Sequence, residues 1–259
     1  MFKRGVVLAL SCGALTIACG TERTETQEIT DNLVQVGFPR SDIQVFDGIV
    51  YVGLDAAVSL EASREMLVSD QDSEEQYRTS NLVSTAVTNI CVNGAAFVSN
   101  AKFNTALNNA IANYNAQPIR WHMTRTSGST TGCSATITAQ FAQGVTGGSS
   151  GFPSGGRPFN TINIGTGLES ATFSTATVTH VITHELGHTI GFRHSDYFNR
   201  AISCGGSPSN EGQAGVGAIL ISGTPSGATV GGSIMNSCFR QSETGKFTST
   251  DVTALNTIY

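Results

Sequence analysis

Residues His184 to Asp196 read HELGHTIGFRHSD, which places three of the chain's five histidines, one glutamate and two glycines within thirteen positions. Val178, Val181, Ile182, Leu186 and Ile190 fall at mostly helical spacing, and Thr175 or Thr177 can cap the start, so this part of the chain predicts a helix. On it His184 and His188 stand four apart, on one face and within reach of a single ion, with Glu185 beside the first. Gly191 can take the left-handed conformation that ends a helix, so that the chain turns back and His194 supplies a third nitrogen. A fold that contains this stretch has to bring a helix end and the loop after it to one point in space.

Three protein ligands leave a tetrahedral zinc one open position, for water. Zinc lowers the pKa of that water from about 15.7 to about 7, and Glu185 can accept its proton as the water attacks a peptide carbonyl, then pass it to the leaving amine. Neutral imidazoles keep the metal Lewis acidic, and the carboxylate beside the site need not be a ligand. A bare HExxH also occurs on ordinary structural helices. Gly191 and His194 at fixed offsets, in a chain this poor in histidine, set this one apart. His180, one turn before His184, reads as a buried residue behind the ligands.

The net charge is −5 and the basic residues are scattered, which excludes nucleic acid as a natural partner. Residues 1–19 read as an export signal: Lys3 and Arg4 precede an apolar run, Gly5 to Ala18, that is too short to cross a bilayer comfortably. Ala18-Cys19 resembles a lipoprotein cleavage site, although Leu15 lies one place early and Thr16 stands where leucine is usual. Two outcomes stay open, membrane attachment through a lipidated Cys19 and plain secretion after cleavage near Ala18. Beyond the signal, Cys91, Cys133, Cys204 and Cys238 suggest two disulfides in an oxidising compartment. Of the three pairings, Cys91 with Cys133 and Cys204 with Cys238 close the shorter loops and are preferred.

Thr21 to Glu28 reads as a tether, followed by a small α/β unit: a helix with Ile29, Leu33 and Val36 that stops at Gly37, a hairpin turning at Asp47-Gly48, and a short helical piece around Val58 to Leu67. Val68 to Ser80, rich in charge and hydroxyls, reads as a linker and processing region, so residues 20–80 are an N-terminal unit and linker and 81–259 the main domain. There a helix with Phe103, Leu107, Ile111 and Tyr114 on one face stops by Pro118. Strands in IRWHMTRTS and SATITAQFA come next, joined by the turn GSTTGC. They are followed by a glycine- and serine-rich surface loop, 144–159, and a strand from Asn160 to about Gly165. The order gives a mixed α/β (α+β) class, with helices packed on a sheet.

With these residues in hand, the chain resembles the metzincin zinc peptidases, whose extended motif HExxHxxGxxH is met by His184, Glu185, His188, Gly191 and His194. Metzincins carry a methionine turn under the metal, and GGSIMNSC offers Met235 some forty residues on. Within the group the chain looks most like the bacterial dual-action HEIGH metallo-peptidases, with HELGH in place of HEIGH and EQYRTSNLVS and STDVTALNTIY as weaker supporting segments. Astacins are the runner-up, but Ser237 stands where their methionine turn has a zinc-binding tyrosine, so no fifth ligand is expected; Ser195 is as in matrixins, whose pattern the rest does not follow. The resemblance implies a twisted sheet over a zinc-site helix, a C-terminal helix, and an edge strand near Asn160 to Ile164 that pairs with an extended substrate.

It also implies a Zn2+-dependent endopeptidase acting on proteins or peptides outside the cell, and a monomer is expected. The unit from Thr21 to Ser80 would then be a propeptide or a permanent accessory domain. It has no cysteine to cap the zinc; Asp47 or Asp55 could do so as a carboxylate, though each also fits a turn or surface role. The competing class is a surface lipoprotein that binds a partner and uses a structural or inactive zinc site.

Overall fold

A computed structural model describes residues 23–67, 76–212, 218–225 and 227–259, so the export signal and Cys19 lie outside the described residues, as does most of the expected linker. The N-terminal unit begins earlier than the tether reading allowed: α1 (Glu25–Gln35) starts behind Thr24, which forms a capping box with Gln27. The hairpin β1 (Gln44–Phe46) and β2 (Ile49–Val52) turns at Asp47 and Gly48, both at positive φ, as a two-residue hairpin requires. A second turn, Gly53 to Asp55, leads into β3 (Ala56–Val58), and α2 (Leu60–Met66) closes the unit. Ile29, Leu33, Val50, Val52 and Met66 form its own small core, to which Phe152 is the contribution from later in the chain.

The main part opens with β4 (Tyr77–Arg78), inside the stretch read as linker. Tyr77 is buried, its carbonyl accepts from Arg193 N, and Thr79 N donates to Gly191 O, so the chain is already locked onto the zinc-motif loop by residue 77. Then come β5 (Asn89–Asn93), α3 (Ala101–Asn115, capped by Asn100), β6 (His122–Thr126), β7 (Ala135–Ala142), β8 (Gly148–Gly151) and β9 (Thr161–Gly165). The last elements are α4 (Thr175–Thr189), α5 (Ala201–Cys204), β10 (Ile219–Leu220) and α6 (Ser249–Ile258).

One sheet of order β1-β2-β3-β8-β9-β7-β5-β6 runs through both parts, and β4 pairs with β10 separately. The strands β6, β5, β7 and β9 are mutually parallel, β8 is antiparallel to β9, and β3 joins β8 in parallel. Both strands flanking the turn are formed, as β6 and β7, and β5, whose short buried run NICVN carries no alternation, lies between them in the sheet. One expectation is corrected here. The strand at Asn160–Ile164 is interior, paired on both sides; the strand next to the N-terminal unit is β8, inside the loop read as irregular. Gly148 and its serine and glycine neighbours have little β propensity, so pairing with β9 and β3 makes this segment a strand.

Helices α3 and α4 pack on each other and on the sheet, burying Phe103, Leu107, Ile137, Ile162, Ile182 and Leu186 in the main core. Both preferred disulfides are formed. Cys91–Cys133 ties the return loop before β7 onto β5, and Cys204–Cys238 ties α5 to the segment after Met235, with Cα atoms 5.5 and 5.1 Å apart. The C-terminal helix α6 has a second task. Asp251, 3 % exposed, completes its own capping box with Thr248 and accepts from Ser233 Oγ at 2.6 Å and Ile234 N at 3.0 Å, which pins the turn that carries Met235.

Two stability measurements follow. Cys91→Ala with Cys133→Ala opens a loop closed across 42 residues, and should lower stability by about 4 kcal/mol in the chain-entropy account. Asp251→Ala leaves the turn's donors without their charged acceptor and should cost about 2–3 kcal/mol. Urea unfolding midpoints at constant m-value check both, and midpoints equal to wild type would contradict these assignments.

Candidate metal centre

Helix α4 is buried on every side from Thr177 to Thr189, so each of its polar groups needs a partner. Ser174, rather than Thr175 or Thr177, is the cap, accepting from Thr177 N at 3.0 Å. Thr179 and Thr183 return their hydroxyls to carbonyls one turn back, and Thr189 does so to Leu186 O. At the other end Gly191 N donates to His188 O and Phe192 N to Gly187 O, the paired bonds of a Schellman cap, with Gly191 at φ 108°. A Cβ at Gly191 would also stand 2.6 Å from Asn81 O, so glycine is required twice over. This cap reverses the chain and brings His194 back over the helix.

The three imidazoles meet through their Nε2 atoms: His184 lies 3.0 Å from His188 and 3.2 Å from His194. The Nδ1 atoms fix what those nitrogens are. His184 Nδ1 donates to Ile234 O, His188 Nδ1 to Phe192 O and His194 Nδ1 to Glu211 Oε1, at 2.8, 2.8 and 2.7 Å. A carbonyl only accepts, so in a neutral imidazole the proton is on Nδ1 and Nε2 presents a bare lone pair. Asp55, from the turn before β3, adds its carboxylate, with Oδ2 3.1 Å from His194 Nε2 and Oδ1 3.6 Å from His188 Nε2. Four acceptors, one ligand atom from each residue and all within 4.8 Å of one another, repel unless a cation is held among them. The donor set, three imidazole nitrogens and a carboxylate, fits zinc.

Ionisation agrees with this. Burial drives the His188 pKa down to about 3, leaving the neutral form that ligates metal. Burial works in the same direction on His194, but Asp55 and Glu211 carry it well above its ordinary value: positive charge is favoured at this spot. Burial pushes Asp55 upward, and the surrounding histidines, His194 first, outweigh it and hold it well below the carboxylate range.

Glu185 faces the same cleft, a cavity of about 280 Å³ that Asp55, His184, Glu185, Gly148 and Phe239 help to line. Its backbone carbonyl accepts from Ser150 Oγ at 2.9 Å, while Oε2 is buried with no hydrogen-bond partner among the described residues. Burial, then the Asp55 charge, raises its pKa well above the ordinary value, as suits a proton acceptor. A Cβ at Gly148 would lie 2.4 Å from Glu185 Oε1, so β8 passes this close only as glycine. Met235 lies beneath: its sulfur would be 2.6 Å from a Cβ at Gly187, and its carbonyl accepts from Ser195 N. His180 is buried, 3.5 Å from Glu243, and outside the histidine cluster.

Sequence reasoning found the motif residues and missed their supports. Ser237 donates from N and Oγ to Asp196, which also accepts from Ser203, so one buried carboxylate knits α5, the Cys204–Cys238 bridge and the methionine segment together. Neither Asp196 nor Glu211 sits at a spacing that announces a partner. Asp55 was visible only as one of two carboxylates, and Asp47 is the one that stays in an exposed hairpin turn.

The chain is similar in structure to High choriolytic enzyme 1, a hatching enzyme zinc-protease from Oryzias latipes (Medaka fish), at 14 % identity over 68 % of this chain and 92 % of that one, TM-score 0.39. It is similar also to myroilysin, at 15 % identity over 71 % and 98 %, TM-score 0.39. No curated protein matches. The family model described as dual-action HEIGH metallo-peptidase matches residues 50–259, which takes in the Asp55 turn as well as the histidine cluster and Met235. The chain belongs to the dual-action HEIGH metallo-peptidase family and is a zinc metallopeptidase.

Proposed function

We propose that the protein is an exported endopeptidase that cleaves extracellular or cell-surface proteins, with His184, His188 and His194 as zinc ligands and Glu185 as general base. The observation that carries this reading is the convergence of three imidazole Nε2 atoms in one cleft with a buried carboxylate, one oxygen of which has no hydrogen-bond partner among the described residues. Bound zinc supplies the Lewis acidity that acidifies water and polarises a peptide carbonyl. The protein's part is positioning: Ser150 and Gly148 hold Glu185 against β8, the Schellman cap presents His194, and Met235 supports the helix from below. Glu185, with its raised pKa, takes the proton and returns it to the leaving amine.

Asp55 makes this chain a latent form. Gly53 and Leu54, both at positive φ, swing it into the cleft, and the left-handed conformation costs a side chain like that of Leu54 roughly 1–2 kcal/mol. Asp42 steadies the turn by accepting from Gly53 N at 3.0 Å. Behind Asp55, β3 pairs with β8 at Ala56–Ser150 and Ala57–Gly151, along the edge where an extended substrate would add. The separate N-terminal core, and the docking of the chain onto the zinc loop from Tyr77, support removal of the unit by cleavage within residues 68–76. Export through the signal, lipidation of Cys19 or its loss with the signal, and action as a monomer complete the proposal. No helix among the described residues is long and apolar enough to cross a membrane.

Asp55 is also what a structural site would use to close its fourth position. The competing reading, a surface lipoprotein with an inactive zinc site, therefore has one observation in its favour, but it leaves Glu185 and the cleft without a task.

Wild type freed of the N-terminal unit and its Glu185→Ala variant should each hold one zinc, while cleavage of an unfolded protein by the variant falls by about 10²–10⁴-fold. Gly148→Ala, which displaces Glu185, should lower cleavage in the same direction with zinc unchanged. One zinc in all forms with no cleavage by wild type would defeat the enzyme reading. Asp55→Ala in the full chain should be active before any processing, where the wild-type chain is not. Intact mass of fully active secreted protein should place its N-terminus within residues 68–76; an N-terminus at or before Glu28 would sink the propeptide.

A further inference from the structure

The three histidines are not held alike. His184 and His188 stand on a rigid helix, and each donates from Nδ1 to a main-chain carbonyl. His194 lies beyond the cap, on a loop, and its Nδ1 donates to the carboxylate of Glu211 at 2.7 Å. Glu211 is 1 % exposed. Arg193 Nη2 donates to its Oε2 at 3.3 Å, Arg200 pairs with its Oε1 at 3.3 Å, and Ser237 Oγ, whose proton goes to Asp196, lies 3.3 Å from Oε1. Arg193 is itself buried, with its guanidinium 4.6 Å over the Phe38 ring of the N-terminal unit. The turn before Asp55 covers the far side, where a Cβ at Gly53 would lie 3.0 Å from Glu211 Oε2 and 3.3 Å from His194 Cε1.

A buried carboxylate needs compensation for its lost hydration, and two arginines and an imidazole are gathered here to supply it. A core that needed only packing would not require this arrangement. We propose that Glu211 is a positioning residue for the metal: it fixes the His194 ring, keeps the proton on Nδ1 and makes Nε2 a stronger donor than its two neighbours. His194 needs this support because no helix orients it. The inference rests on the three histidines being the ligand set, and it adds a carboxylate–histidine pair that the HExxHxxGxxH pattern does not contain.

The test is zinc affinity of the full chain by competition with a chromophoric chelator, together with the rise in Tm on adding zinc to chelator-treated protein. Glu211→Gln keeps the volume and one acceptor but loses the charge, and should bind zinc about tenfold more weakly; Glu211→Ala should lose up to about 100-fold. In both, the zinc-induced rise in Tm should shrink. Glu243→Gln, whose carboxylate lies by His180, which is outside the cluster, should bind zinc as wild type does. Wild-type affinity in Glu211→Gln, with Tm lowered equally with and without zinc, would show a merely structural role and overturn the proposal. An equal loss in Glu243→Gln would overturn it too. If the Ala variant does not fold, the Gln variant decides. Failure of wild type to bind zinc would instead defeat the ligand set itself.

Discussion

Three imidazole nitrogens and a carboxylate converge on one point, an arrangement that favours a cation among them, and much of the surrounding structure serves to aim them. Backbone carbonyls of Ile234 and Phe192 and the carboxylate of Glu211 hold the outer nitrogens, so the inner ones have no choice of tautomer. Each of those supports is itself anchored: Ile234 by Asp251 of the C-terminal helix, Phe192 by the Schellman cap, Glu211 by Arg193 and Arg200. A tightly bound ion is therefore expected to stabilise the whole domain, since the unfolded chain offers no such site.

The N-terminal unit is arranged around the same point. Its second turn, Gly53 to Asp55, which the buried Asp42 steadies, and the Phe38 ring face the zinc loop, and its last strand extends the sheet beside the cleft. The unit also keeps a core of its own, built from Ile29, Leu33, Val50, Val52 and Met66 with Phe152 packed against it.

What could be read from the letters was whatever rests on local pattern. The helix with His184 and His188, its end at Gly191, the hairpin at Asp47-Gly48 and the face of α3 follow from spacing and from conformations that glycine alone takes easily. β8 was not legible, because Gly148-Ser-Ser-Gly has neither alternation nor propensity and becomes a strand only through neighbours distant in sequence. Asp55 depended on a second turn that leads from the hairpin to the cleft, and Glu211, Asp196 and Asp251 on contacts across 17 to 41 residues. The motif names the ligands, and long-range packing names what orients them.

Zinc K-edge X-ray absorption on the full chain and on the form freed of its N-terminal unit reads this coordination directly. Three imidazole nitrogens at about 2.0–2.1 Å and one carboxylate oxygen are expected in the full chain, with the carboxylate contribution lost and the three nitrogens kept after removal of the unit. A sulfur ligand, fewer than three imidazoles, or a first shell identical in the two forms would contradict it.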